Sequence, residues 1–282
     1  MANGSVSDDI GHRFSTPQYY VINTVTLIGI FVSIVFICIH LVVHLLANKL
    51  HNLPGHNLAS FCVSLLMEYS SILLSVVLED YFCTEITATV NYFVLTSYMW
   101  MLIMSYETWS TIRTSMRQCA LSTGNRWKRF YIYSACCWLI PALFLALDYV
   151  VPQFNAKYAV ITDDKTCPRS DPLLTMIKEC VLLVILFSNS LFFGSSLYYL
   201  SNHSVRNLNT TDSGFAKRFS LYMRLVLITG FTWTLEELAF YSGWDVLSLA
   251  FQTINMFEGL FIAVAFTCRK QVLDSVRFLK CI

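Results

Sequence analysis

The sequence predicts an all-α membrane protein: a seven-transmembrane helix bundle with its N-terminus outside and a short amphipathic helix after the last span. Three observations predict it. Hydrophobic residues make up 56% of the 282 positions and charged residues 13%, well away from the average for chains that fold in water. Seven apolar runs are each long enough to cross the hydrocarbon core, which takes about 20 residues. Thirteen Lys and Arg residues fall in the segments on one side of those runs and four on the other, the asymmetry that sets orientation in a bilayer.

Residues 1–20 are polar and lack the apolar stretch of a cleavable leader, so they are expected to form a short outer segment whose following span directs insertion. The spans read 21–47, 58–78, 86–109, 128–151, 173–200, 220–241 and 246–267, and residues 268–282 form an inner tail. The inner segments hold Lys49; Arg113, Arg117, Arg126, Lys128 and Arg129; Arg206, Lys217 and Arg218; and Arg269, Lys270, Arg277 and Lys280. The outer segments hold Arg13, Lys157, Lys165 and Arg169 and are otherwise acidic. This places the chain in the plasma membrane as a multi-pass protein.

Topology decides what the small motifs mean. Asn3-Gly4-Ser5 is a glycosylation acceptor on the outer side, whereas the matches at Asn202 and Asn209 fall in an inner loop and are expected to be inert. Of ten cysteines, only Cys83 and Cys167 lie in outer segments, and a bridge between them would pin the second outer loop over the bundle. In the tail, Val272, Val276 and Leu279 share a helical face among basic residues, which suits a helix lying on the inner leaflet; a frayed basic tail is the alternative. Cys281 is a candidate for acylation.

Several short motifs, in order, resemble the Methuselah-like receptors of insects, a branch of the secretin and adhesion class of G-protein-coupled receptors. HLLANKLHNLPGHNL from His44 looks like the family's first inner turn, with Pro54 in place of a His. SYETW from Ser105 resembles the motif closing the third helix, with Glu107 as its acid, and RFYIYSACCWLIP from Arg129 resembles the fourth. FSNSLFF carries the fifth-helix Asn as Asn189. RLVLITGFTWTLEEL supplies Arg224, Gly230, Trp233 and Glu236, and INMFEGLFIAVAFTCRKQV resembles the end of the seventh helix, with Asn255 and with Glu258 where many relatives carry Gln. The chain departs from the class at Pro168, Leu227 and Met104, and its outer segment is far shorter than the family's cysteine-rich or self-cleaving ectodomains. The resemblance implies a receptor that passes an extracellular signal to a heterotrimeric G protein by movement of the sixth helix. It implies as partners that G protein, an unidentified extracellular ligand, the bilayer and, as a further candidate, a receptor oligomer; no cofactor or nucleic acid is expected.

Ionisable groups inside a bilayer are costly, so each is a functional candidate until a partner explains it. At about 1.5 Å per residue, Glu68 and Glu258 come near the midplane, where each is either a switch group or, the reading that desolvation favours, a neutral hydrogen-bonded carboxyl within the bundle. Lys178 and Glu179 reach the depth of Glu236 and Glu237, and an ion pair between Lys178 and one of those glutamates is expected. With Tyr241 and Asn91, that outer cluster is either a polar ligand site or a structural ion pair. On the inner side Glu107 and Arg224 form a candidate latch, with Gly230 allowing a bend; two solvated interfacial residues are the alternative. His40 and His44 look like packing residues and no metal site is expected.

Competing classes fit less well. No Gly-x-Ser-x-Gly elbow, His-Glu-x-x-His helix or phosphate loop points to an enzyme. A retinal protein needs a lysine in its last span, and 246–267 has none. A proton-coupled transporter would share the midplane carboxylates, but only Pro141 lies well inside a span and no internal repeat appears, which argues against broken helices. A non-signalling helical partner of a longer relative is the remaining alternative.

Overall fold

The computed structural model describes residues 16–47, 51–78, 83–116, 126–154, 172–202 and 232–267, and those residues contain helices, turns and no strand. In chain order they form α1 (Thr16–Leu46), α2 (Leu53–Leu78), α3 (Cys83–Met116), α4 (Arg126–Phe154), α5 (Pro172–Asn202), α6 (232–241), α7 (Asp245–Asn255) and α8 (Glu258–Ile262), closed by a π-helical turn, Ala263–Thr267. Five stretches are long and apolar enough to cross a membrane: Asn23–Leu46, Leu53–Leu78, Glu85–Arg113, Trp127–Asp148 and Met176–Ser196. The α7 and α8 pair makes a further span bent by 46°. Of the expected sixth span, 220–241, the described part begins at residue 232.

Burial follows from which solvent each face meets. Residues 95–101 of α3 are buried without interruption, so this helix runs through the middle of the bundle rather than along one side. Around Trp100, Met101 and Met104 pack Phe61, Leu65 and Tyr69 of α2, Ile30 and Ile37 of α1, Ile185 and Leu186 of α5, Trp233 of α6 and Ile262 of α8. The outer faces are apolar as well: Phe31, Leu45, Val77, Leu139 and Val184 are exposed, which water would penalise and lipid does not.

The seventh span is not the continuous helix that 246–267 reads as. It breaks at Met256–Phe257 without a proline, so the inference from Pro141 against broken helices does not hold. The cause is a set of side chains that take over the helical ladder. The Gly259 N–H, which in a continuous helix would reach the Asn255 carbonyl, donates to Ser33 Oγ of α1 at 3.2 Å. The Asn255 carbonyl accepts from Tyr69 Oη at 3.0 Å, and the Met256 carbonyl from Ser33 Oγ at 2.5 Å. Leu260 N then bonds back to Phe257 rather than to Met256. Groups freed by the bend are thus satisfied by α1 and α2, the condition for irregular backbone at membrane depth.

The α6–α7 turn has a local explanation. Trp244 N donates to the Ala239 carbonyl at 2.9 Å and Gly243 N to the Phe240 carbonyl at 3.1 Å, the paired bonds of a Schellman ending. Gly243 occupies the left-handed position at φ 71°, where a side chain would be strained although the space is open.

Candidate functional site

Several of the described polar groups inside the bundle cluster, in separate hydrogen-bonded groups, where α2, α3, α6, α7 and α8 meet. Trp233, Glu236 and Glu237 are three and four residues apart on α6, so helical periodicity sets them on one side facing the core. Tyr98 of α3 donates to Glu237 Oε1 at 3.1 Å, and its ring meets Trp233 edge-on at 4.5 Å between centroids. Trp233 Nε1 donates to Glu258 Oε2 at 3.1 Å. Asn255 Nδ2 donates to Glu236 Oε2, and the Asn255 carbonyl accepts from Tyr69 at 3.0 Å. On α3, Ser97 donates to Glu68 Oε2 at 2.8 Å and lies 3.1 Å from Ser64 Oγ.

Among the described residues, the donors that reach these carboxyl groups are all neutral. Glu68 and Glu258 are 4% and 2% exposed, and Glu258 Oε1 has no hydrogen-bond partner among the described residues. A carboxylate so buried loses most of its hydration, and hydrogen bonds from neutral donors offset that only in part. Among the described residues, no group of three or more His, Cys, Asp or Glu is arranged to hold a metal ion.

Lys178 does not pair with Glu236 or Glu237. Its ammonium lies 2.7 Å from Asp148 Oδ2 on α4, with both side chains less than one-fifth exposed. The physical reason is antiparallel geometry: α4 ends where α5 begins, which brings Asp148 to the depth of Lys178, while α6 offers its glutamates to α3 and α7 instead. Glu179, next in sequence, accepts from Tyr241 Oη at 2.6 Å and links α5 to α6 nearer the surface. Asn91 is exposed and stands outside these contacts.

Toward the other end, buried Glu107 accepts a short hydrogen bond from Tyr133 Oη of α4, and Arg129 Nη1 lies 4.0 Å away. Arg224 and Gly230, the expected partner and bend, lie outside the described residues. So do Asn3, Cys167 with its expected bridge to Cys83, Cys281 and the tail 268–282.

Sequence reading missed Asp148, Tyr69, Ser97, Tyr98, Tyr133 and Ser33. Asp148 carried a readable signal, an acid inside an apolar run at the depth of Lys178. The hydroxyl-bearing residues carried none, because Ser and Tyr are common throughout these helices.

Known proteins agree with this architecture. The family model described as 7 transmembrane receptor (Secretin family) matches residues 19–262. The receptor Mth2 of Drosophila yakuba is 26% identical over 266 residues, covering 85% of this chain and 48% of that protein. Mth2 of Drosophila simulans is 27% identical over 267 residues, covering 85% and 48%, and the probable receptor Mth-like 10 of Drosophila melanogaster 27% over 273 residues, covering 85% and 46%. The chain therefore belongs to the secretin family of seven-transmembrane receptors, on its Methuselah-like branch. It spans about half the length of these curated relatives.

Proposed function

We propose that this chain works as a signalling receptor of the plasma membrane, with its N-terminus outside, residues 21–267 as the bundle and residues 268–282 as an inner tail. A polar extracellular ligand binds at the outer half of α6, at Glu236, Glu237 and Tyr241, the last of which bonds to Glu179 of α5. Binding shifts the sixth helix outward at its inner end and opens a crevice for a heterotrimeric G protein.

The observation that supports this reading best is the set of bonds on α6. Tyr98–Glu237, Trp233–Glu258 and Asn255–Glu236 tie one short stretch of that helix to α3, α8 and α7. A ligand offering better partners to Glu236 or Glu237 would release those ties, and differential contact of this kind is what moves a conformational equilibrium. The family supplies the receptor class; the coupling partner and the moving helix belong to this proposal.

Nucleotide exchange on purified G proteins of each class, catalysed by membranes containing this chain alone, tests it. Exchange above that of empty membranes, altered by Glu237→Gln or Tyr98→Phe, is the expected result. Absence of exchange with every class would overturn it.

A further inference from the structure

Four of the chain's six histidines meet at one end of the bundle, although they come from different elements. His40 and His44 lie on α1 with ring centroids 6.5 Å apart. His51 of the following turn stands 5.3 Å from His44, and His56 of α2 stands 5.4 Å from His44 and 5.7 Å from His51. The file continues at both ends. His40 Nδ1 is 3.0 Å from Thr267 Oγ1 in the π-helical turn, and His56 packs against Trp127 and Phe130 of α4 at 5.1 and 5.6 Å.

The hydrogen bonds suit neutral rings. His51 Nε2 faces the His44 carbonyl at 2.9 Å and must donate to it, since a carbonyl only accepts. His40 Nε2 and His56 Nε2 are buried without hydrogen-bond partners among the described residues, so a proton added at either would find no acceptor there. Of the facing elements, α1 and the turn offer imidazoles, and the π-helical turn offers Thr267 and Phe266. On α4, Lys128 and Arg129 are exposed, and Arg129 lies toward Glu107. No carboxylate appears in the described contacts of these four rings, so a second charge in the file meets like charge and no counter-ion.

We propose that the file His40–His44–His51–His56 is a proton-operated latch. Neutral, it packs as a row of aromatic rings and holds the end of the seventh span, α1, α2 and α4 together. On acidification it takes up like charges 5–6 Å apart and splays, loosening the α1–α2 turn and the seat of the π-helical turn. The latch rests on geometry alone. That cytosolic pH is its input, and receptor output its consequence, rests on the orientation and coupling proposed above.

The test uses the full chain in nanodiscs labelled with 5-fluorotryptophan, with the Trp127 resonance assigned through Trp127→Phe. Between about pH 7 and pH 4, a range reaching below the ordinary imidazole midpoint because partnerless burial and neighbouring imidazoles disfavour the charged form, that resonance should shift reversibly in the native chain. The shift should fall by at least about half in His56→Phe and in His51→Asn, the latter at an exposed position. A Trp127 signal that ignores pH, or that moves equally in all three proteins, overturns the latch. Nucleotide exchange measured over the same range separates the two readings. Titration of Trp127 without exchange at any pH defeats the coupling proposal and leaves the latch standing, whereas exchange with an unmoved Trp127 does the reverse.

Discussion

Gly259 N–H donates to Ser33 Oγ at 3.2 Å, and the same hydroxyl donates to the Met256 carbonyl at 2.5 Å, so one α1 side chain serves both sides of the break in the seventh span. The approach leaves no room for a methyl group. A Cβ on Gly259 would lie 2.5 Å from the Ser33 carbonyl oxygen and 2.8 Å from Ser33 Cα, and backbone cannot step aside as a side-chain end can. Gly259→Ala is therefore expected to cost about 1–3 kcal/mol or more, the usual range for overpacking. Ser33→Ala removes both hydrogen bonds and should cost a similar amount through unsatisfied buried groups. Thermal unfolding in detergent reads both, and a variant as stable as the native chain would refute this account of the bend.

The pairing of Lys178 with Asp148 makes a prediction that the expected pairing with α6 does not share. In a thermal-stability double-mutant cycle, Lys178→Met and Asp148→Asn should couple by about 1–3 kcal/mol, since each single change strands a partly buried charge. Lys178→Met with Glu236→Gln, or with Glu237→Gln, should be additive within about 0.5 kcal/mol. Coupling to either glutamate instead of Asp148 would reverse the assignment.

Glu258 lends itself to a substitution that keeps its geometry. Among the described residues only Oε2 has a partner, the Trp233 indole N–H, and an amide oxygen accepts that bond equally well. Glu258→Gln should therefore fold with stability equal to the native chain or greater, because a group whose ionised form is poorly accommodated is replaced by a neutral one. Glu258→Leu leaves the buried indole N–H unpaired and should lose about 1–3 kcal/mol. The ordering Gln above Leu in melting temperature is the outcome to check; the opposite ordering would mean that the bond to Trp233 contributes nothing.

How much of this was legible beforehand varies with the range of the interaction that decides it. Helices came from runs of apolar residues, a local property, and α1 to α5 overlap those runs, with α3 extending seven residues beyond the end read for it. Glu68, Glu236 and Glu258 were found because a carboxyl inside an apolar run is conspicuous by chemistry alone. Pairings were not legible: Lys178 has acids available on two helices, and only the rotation of α5 about its axis selects Asp148. The break at Met256 was hidden for the same reason, since its cause, Ser33, lies 223 residues away in sequence. His40 and His44 were visible as neighbours one turn apart, yet their meeting with His51 and His56 depends on how the α1–α2 turn closes.

The contact between Tyr133 and Glu107 bears on signalling rather than on folding alone. Tyr133 reaches from α4 to a carboxyl on α3 that is buried and has one weaker neighbour, Arg129, at 4.0 Å with more than half its side chain exposed. If Glu107 helps hold the resting arrangement, loss of its main donor should bias the resting and active states by about 1 kcal/mol, roughly a fivefold change in their ratio. Tyr133→Phe removes the hydroxyl and keeps the ring, so packing survives. Its basal nucleotide exchange should rise about fivefold, while Arg129→Gln, at the more solvated partner, should change it little. Equal effects from the two variants, or a larger one from Arg129→Gln, would move the hold on Glu107 from the tyrosine to the ion pair.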